Sequence, residues 1–158
     1  MIQRIQSLFL LLAIVALILL LVFPFATFYS QTGIYELDIF GLKSITPGNT
    51  IPFVDWFFWP LTGVAAIVII LDLVALFSFT KRIRQINLTH GAVFLNILFV
   101  VALMFYYIPG VEEKTNTAVD YKGSLGIYLP LISLVFTLLA QRYVKKDERL
   151  VRSADRLR

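Results

Sequence analysis

The chain has 158 residues, of which 59% are hydrophobic and 15% charged, with a mean hydropathy of +0.83 and a formal net charge of +4. Soluble domains hold about 45–50% apolar and about 25% charged residues, so this composition describes a membrane protein rather than a soluble one with a large core. Cysteine is absent and His90 is the only histidine, which excludes disulfides, thiolate catalysis and a metal site built from several cysteines or histidines of this chain.

Four apolar runs occur in chain order, at 8–28, 61–79, 91–108 and 125–143. Each is close to the ~20 residues that a helix needs to cross the hydrocarbon layer. In lipid every backbone N–H and C=O must be paired within the chain, so all four runs are predicted as transmembrane helices. The first follows a basic Arg4, as the core of a secretory signal would. It is longer than the ~7–15 apolar residues of a cleavable signal, and its exit, Phe23-Pro-Phe-Ala-Thr-Phe28, has no small-x-small cleavage site.

The connection 29–60 comes next. Ile34-Tyr-Glu-Leu-Asp-Ile39 alternates apolar and polar residues, the period of a half-exposed strand, and Gly41 and Pro47-Gly48-Asn49 are turn signals. Asp55-Trp-Phe-Phe-Trp-Pro60 leads into the second run, where Pro60 suits the first helical turn because its missing N–H has no partner to lose. Phe28, Tyr29, Trp56, Phe57, Phe58, Trp59, Tyr106, Tyr107 and Tyr128 all fall at the same ends of the four runs, the pattern of an aromatic belt at headgroup level. The segment 80–90 is short, so the second and third helices are antiparallel neighbours. The connection 109–124 contains Ala118-Val-Asp-Tyr-Lys122, a second strand candidate. The expected fold is an all-α four-transmembrane-helix bundle forming one domain, capped by a small extracytoplasmic antiparallel β-sheet.

Orientation follows from lysine and arginine. Arg4, Lys81, Arg82, Arg84 and the basic residues of 142–158 make eleven cations on one side, against Lys43, Lys114 and Lys122 on the other. The positive-inside rule then places both termini in the cytoplasm.

Within the second run, Asp72 interrupts Val64-Ala-Ala-Ile-Val-Ile-Ile-Leu-Asp-Leu-Val-Ala-Leu-Phe77. A charged residue at the centre of a lipid-facing helix costs about 2.5–3.5 kcal/mol on insertion scales, so such a residue usually faces the bundle and has a partner. At helical period Asp72 shares a face with Ala65, Val68, Ala75 and Leu76, while Ile67, Ile70, Val74 and Phe77 form the opposite, lipid-suited face. Counting from the inner ends at ~1.5 Å per residue, Asp72, Asn96 and Thr137 lie at one depth on three helices. Ser133, Thr137 and Gln141 form one stripe of the fourth. Two readings fit this polar cluster: interhelical glue that fixes register, or a proton or cation site. His90, at the inner mouth of the third helix, reads as a solvated interfacial residue or a proton relay.

The tail 144–158 carries Leu150, Val151, Ala154 and Leu157 near helical spacing, with Glu148 and Arg152 as an i, i+4 pair. It reads as a helix continuing from the membrane or lying on its inner surface. Its cations suit topology, anionic headgroups and a protein docking site, and without interleaved aromatics it offers no stacking platform for nucleic acid.

The opening Met1-Ile-Gln-Arg-Ile-Gln-Ser-Leu-Phe-Leu-Leu-Leu-Ala13 and the ending Asp147-Glu-Arg-Leu-Val-Arg-Ser-Ala-Asp-Arg-Leu-Arg158 resemble the two ends of a Bacteroidota family of four-helix membrane proteins, domain of unknown function 4293. The resemblance covers the full length and implies an integral inner-membrane protein of a Gram-negative cell. It brings no reaction, cofactor, ligand or catalytic residue.

The residues themselves present no nucleophile–base pair and no ligand set, so no enzyme, cofactor or metal is expected. The outer carboxylates Glu36, Asp38, Glu112, Glu113 and Asp120 match no calcium-loop spacing. The leading expectation is an accessory or scaffolding subunit of an inner-membrane assembly, touching the bilayer and a membrane or cytoplasmic protein. The alternative is a small proton- or cation-coupled transporter centred on Asp72, which with so few helices would work as a homo-oligomer.

Overall fold

A computed structural model describes residues 2–29, 33–48, 51, 53–79, 81–120 and 124–155. Helix α1 (Ile2–Leu19) is followed by strands β1 (Ala26–Tyr29), β2 (Ile34–Leu37) and β3 (Leu42–Ser44). Next come α2 (Trp59–Phe77) and α3 (Arg82–Ala102), which continues through a π-turn (Leu103–Tyr107) into α4 (Ile108–Thr115). Strand β4 (Ala118–Asp120) and α5 (Tyr128–Asp155) complete the described chain. The result is four helical rods and one small antiparallel sheet. Three helical stretches are long and apolar enough to cross a membrane: Trp59–Phe77, Arg82–Thr115 and Leu125–Leu150. The apolar part of the first rod, Ile5–Leu19, is shorter.

The first boundary is a correction. The run 8–28 was expected to be one helix, yet the helix begins at Ile2, stops at Leu19 and gives way to β1. Pro24 disfavours helix because it has no N–H and pushes its predecessor toward extended backbone. Phe25, Ala26 and Phe28 are fully buried. They are apolar because β1 is a central strand, flanked by β2 and β4 in the order β3-β2-β1-β4, and covered by protein rather than lipid. Two backbone bonds fix this corner: Phe25 N–H to the Leu37 carbonyl (2.7 Å) and Gly126 N–H to the Pro24 carbonyl (3.0 Å). A Cβ on Gly126 would lie 2.4 Å from that carbonyl oxygen, so only glycine lets the start of α5 approach the exit of α1 this closely.

The third rod is longer than the expected 91–108, running from Arg82 to Thr115. Its buried stripe, Gln85, Thr89, Ala92, Asn96 and Phe99, keeps helical period through residues whose polarity read as loop. Pro109 would ordinarily end a helix. Here the Ile108 N–H bonds back to the Leu103 carbonyl in a π-turn, which accommodates the ring and lets the rod continue. Asn116, with φ of 50°, caps it in the left-handed conformation. Glu112 Oε1 then accepts the Val119 N–H at 3.0 Å and turns the chain into β4. The fourth rod is one helix through residues 144–155, so the tail continues α5 instead of lying apart.

The sheet forms a common core with the rods, joining Leu37, Ile39 and Leu42 to Phe58, Leu61, Phe99, Leu103 and Tyr107. Thr62 donates to the Ile39 carbonyl at 2.5 Å and pins the sheet to α2. At the β2–β3 turn, Asp38 Oδ1 accepts the Phe40 and Gly41 N–H groups, and Lys43 pairs with the same carboxylate. The aromatic belt is split by this packing. Trp56 and Trp59 are 65% and 69% exposed, whereas Phe28, Phe58 and Tyr107 are buried. Those three were expected at the lipid headgroups and instead bind the sheet to the helices. Phe57, Phe58 and Tyr107 pack mutually ring against ring, and Lys114 Nζ sits 4.6 Å from the Phe53 ring centroid.

Candidate functional site

Away from the sheet the core becomes polar. All four rods contribute fully or nearly buried polar side chains: Gln6 from α1, Asp72 from α2, Gln85, Thr89 and Asn96 from α3, and Ser133, Thr137 and Gln141 from α5. Each sits on a helical stripe that also carries small or apolar core residues. On α2 the buried stripe is Leu61, Ala65, Val68, Asp72 and Ala75, so Asp72 faces the bundle, while Ile67, Ile70 and Phe77 face out. Leu10, Ala75 and Ala140 pack together beside the seam and bring α1, α2 and α5 close. Phe9 of α1 stacks on Phe136 and Tyr143 of α5.

Hydrogen bonds join the seam in a short relay. Asn96 Nδ2 donates to Ser133 Oγ at 3.3 Å. Thr137 Oγ1 lies 3.0 Å from the Ser133 carbonyl and 3.3 Å from Asp72 Oδ2. A hydroxyl has one proton, so it serves one of these acceptors at a time. The Thr89 hydroxyl lies 3.0 Å from the carbonyls of both Gln85 and Ile86 and back-bonds within its own helix. Six buried atoms have no hydrogen-bond partner among the described residues: Gln6 Oε1, Asp72 Oδ1, both amide atoms of Gln85, Asn96 Oδ1 and Gln141 Nε2. Buried polar groups are nearly always satisfied, by protein or by ordered water, so this concentration in one core is chemically distinctive.

The end of the seam away from the sheet is held by contacts between α3 and α5. Lys145 Nζ lies 2.9 Å from His90 Nε2 and 3.4 Å from Gln141 Oε1. Arg82 Nε pairs with Asp147 Oδ2 at 2.8 Å in a half-buried position. Among the described residues no group of three or more His, Cys, Asp or Glu side chains could hold a metal ion.

Of the three residues expected at one depth, the fold joins Asp72 to Thr137 directly. Asn96 reaches Ser133 instead and meets Asp72 only through the relay. Gln6, Gln85 and Thr89 belong to the same seam and were not singled out. Gln85 and Thr89 fell in a segment read as an inner connection, and Gln6 preceded the first apolar run. Extending the periods Gln85-Thr89-Ala92-Asn96 and Gln6-Leu10-Ala13-Leu17 outward from the runs would have found them. Of the tail stripe, Leu150 is half exposed, and α5 runs through Val151 and Ala154. Leu157 lies outside the described residues.

No curated protein matches the chain. Its seam, rods and sheet all fall within residues 2–157, which match a family model described as Domain of unknown function (DUF4293), and the chain belongs to that family.

Proposed function

We propose that this protein is a four-span inner-membrane protein with both termini in the cytoplasm, acting as an accessory or scaffolding subunit through protein–protein contacts. The observation that carries this reading is the unbroken course of α5. From Tyr143 at the end of the apolar run to Asp155, it continues for about 18 Å at helical rise, long enough to clear the headgroups. Beyond Asp147, which Arg82 still ties to α3, the last turns of this helix form a rigid arm that can present a surface to a partner at fixed distance and angle. The seam supports the same role, because interhelical polar contacts fix the register of the rods. Purification in several mild detergents with mass spectrometry tests it. Recovery with a stoichiometric membrane or cytoplasmic protein is expected, and a lone protein in every detergent would overturn the reading.

A second reading is favoured by the six unpartnered buried atoms. An oligomer could move a proton or small cation between the inner mouth and Asp72, through water held by Gln6, Gln85 and Gln141. Proton or cation uptake by reconstituted vesicles would be abolished in Asp72→Asn. Undiminished uptake in that variant would dismiss the reading.

A further inference from the structure

The face of α5 that points away from the bundle carries two aligned features. Ser133, Thr137, Ala140, Gln141 and Val144 are the buried face. On the outward side, Leu131, Ile132 and Val135, flanked by Phe136 where it stacks on Phe9 of α1, line a wholly apolar groove of about 280 Å³. Farther along the same side, a larger hollow of about 790 Å³ is lined by Arg142, Lys145, Lys146 and Arg149 with Leu139 and Tyr143 as apolar walls. At ~100° per residue, Ile132, Val135, Leu139, Arg142, Lys146 and Arg149 lie on one strip of the helix. Lys145 is engaged by His90 and Gln141, so Arg142, Lys146 and Arg149 supply the outward charge.

We infer that this strip is a binding site for one anionic phospholipid of the inner leaflet, its phosphate held by Arg142, Lys146 and Arg149 and one acyl chain lying in the Leu131–Phe136 groove. The spacing fits. Ten residues separate Ile132 from Arg142, about 15 Å of helix, which is half of the ~30 Å hydrocarbon thickness. Arg142 to Arg149 covers about 10 Å more, which spans the headgroup layer. Guanidinium groups bind phosphate oxygens in pairs, and Tyr143 is an amphipathic ring suited to that depth. Charge complementarity excludes a zwitterionic lipid as the preferred occupant, and the apolar groove aligned with the basic hollow excludes a free phosphate as the whole ligand. The inference rests on the four-span topology with a cytoplasmic tail.

The test uses the full-length protein in mild detergent, with native mass spectrometry of added phosphatidylglycerol, phosphatidylcholine of the same chains, and inorganic phosphate. One phosphatidylglycerol is expected to remain bound per protein, at least about tenfold tighter than phosphatidylcholine, with little competition from inorganic phosphate. Arg142→Gln/Lys146→Gln/Arg149→Gln should remove that preference, and Val135→Trp, which fills the groove, should weaken binding while leaving the headgroup cations in place. Lys81→Gln/Arg84→Gln, away from the strip, should change nothing. The triple variant still leaves eight inner cations against three outer ones, so its topology is preserved. Equal binding of both lipids, equal loss in the Lys81/Arg84 control, or full displacement by inorganic phosphate with no effect of Val135→Trp would each overturn the lipid site. Failure of the topology itself shows separately, as periplasmic labelling of the tail.

Discussion

Asp72 shows how a single polar residue can be tolerated in an apolar helix. It has no exposed surface, one hydroxyl contact and one oxygen without a partner among the described residues. The contact with Thr137 is long and shared with a backbone carbonyl, so its contribution is modest. A double-mutant cycle with Asp72→Ala and Thr137→Val, measured by unfolding in mixed micelles, is expected to give a coupling near ~0.6 kcal/mol and below ~1.7. A larger value would mean that the seam acts as one cooperative network. The aromatic hexapeptide makes a sharper contrast. Phe58 is 1% exposed and touches Phe53, Phe57 and Tyr107, whereas Trp56 and Trp59 are mostly exposed. Phe58→Ala should cost about 3–5 kcal/mol, and Trp59→Ala in detergent within about 0.5 kcal/mol of zero. Thermal unfolding of the two variants side by side checks this, and similar losses would place both rings in the core.

Among the elements, the corner between α1 and α5 is the most constrained. Gly126 has no room for a methyl group, because the obstructing atoms are main-chain carbonyls of Phe23 and Pro24. Gly126→Ala should therefore lower stability by about 1–3 kcal/mol, since both backbones must move. Gly63 lies in α2 with nothing within 4 Å of its would-be Cβ. Gly63→Ala should be neutral or stabilising by up to about 1 kcal/mol, from lower backbone entropy in the unfolded chain. Apparent melting temperatures in one detergent give the comparison, and a harmless Gly126→Ala would contradict the close packing of that corner. The third rod carries the opposite device: its π-turn absorbs Pro109 without a break, so that Tyr107 stays inside while Tyr106 stays out.

For the whole molecule, the sheet closes one end of the bundle with a dense aromatic core, and the polar seam occupies the other half. The absence of cysteine makes the topology directly testable, because any introduced thiol is unique. Ser44→Cys, in β3, is expected to react with an impermeant maleimide in intact cells. Under the proposed topology, Ser153→Cys, on the last turns of α5, should react only after the inner membrane is opened. The reverse pattern would invert the molecule and remove the basis for a cytoplasmic partner.

The sequence by itself determined the lipid-suited composition, the second apolar run and the inward face of Asp72. These follow from hydropathy and helical period, which are local properties read along one chain. The family too was legible, from the terminal motifs. The tertiary structure decided what hydropathy cannot separate, namely apolar residues covered by lipid from apolar residues covered by protein. Phe25 and Phe28 lengthened the first run on paper but belong to a central strand, and Phe58 resembled a headgroup anchor but is core. It also decided that Gln6, Gln85 and Thr89 are buried. Their polarity read as solvent exposure, and only the packing of four rods shows that each is covered by protein.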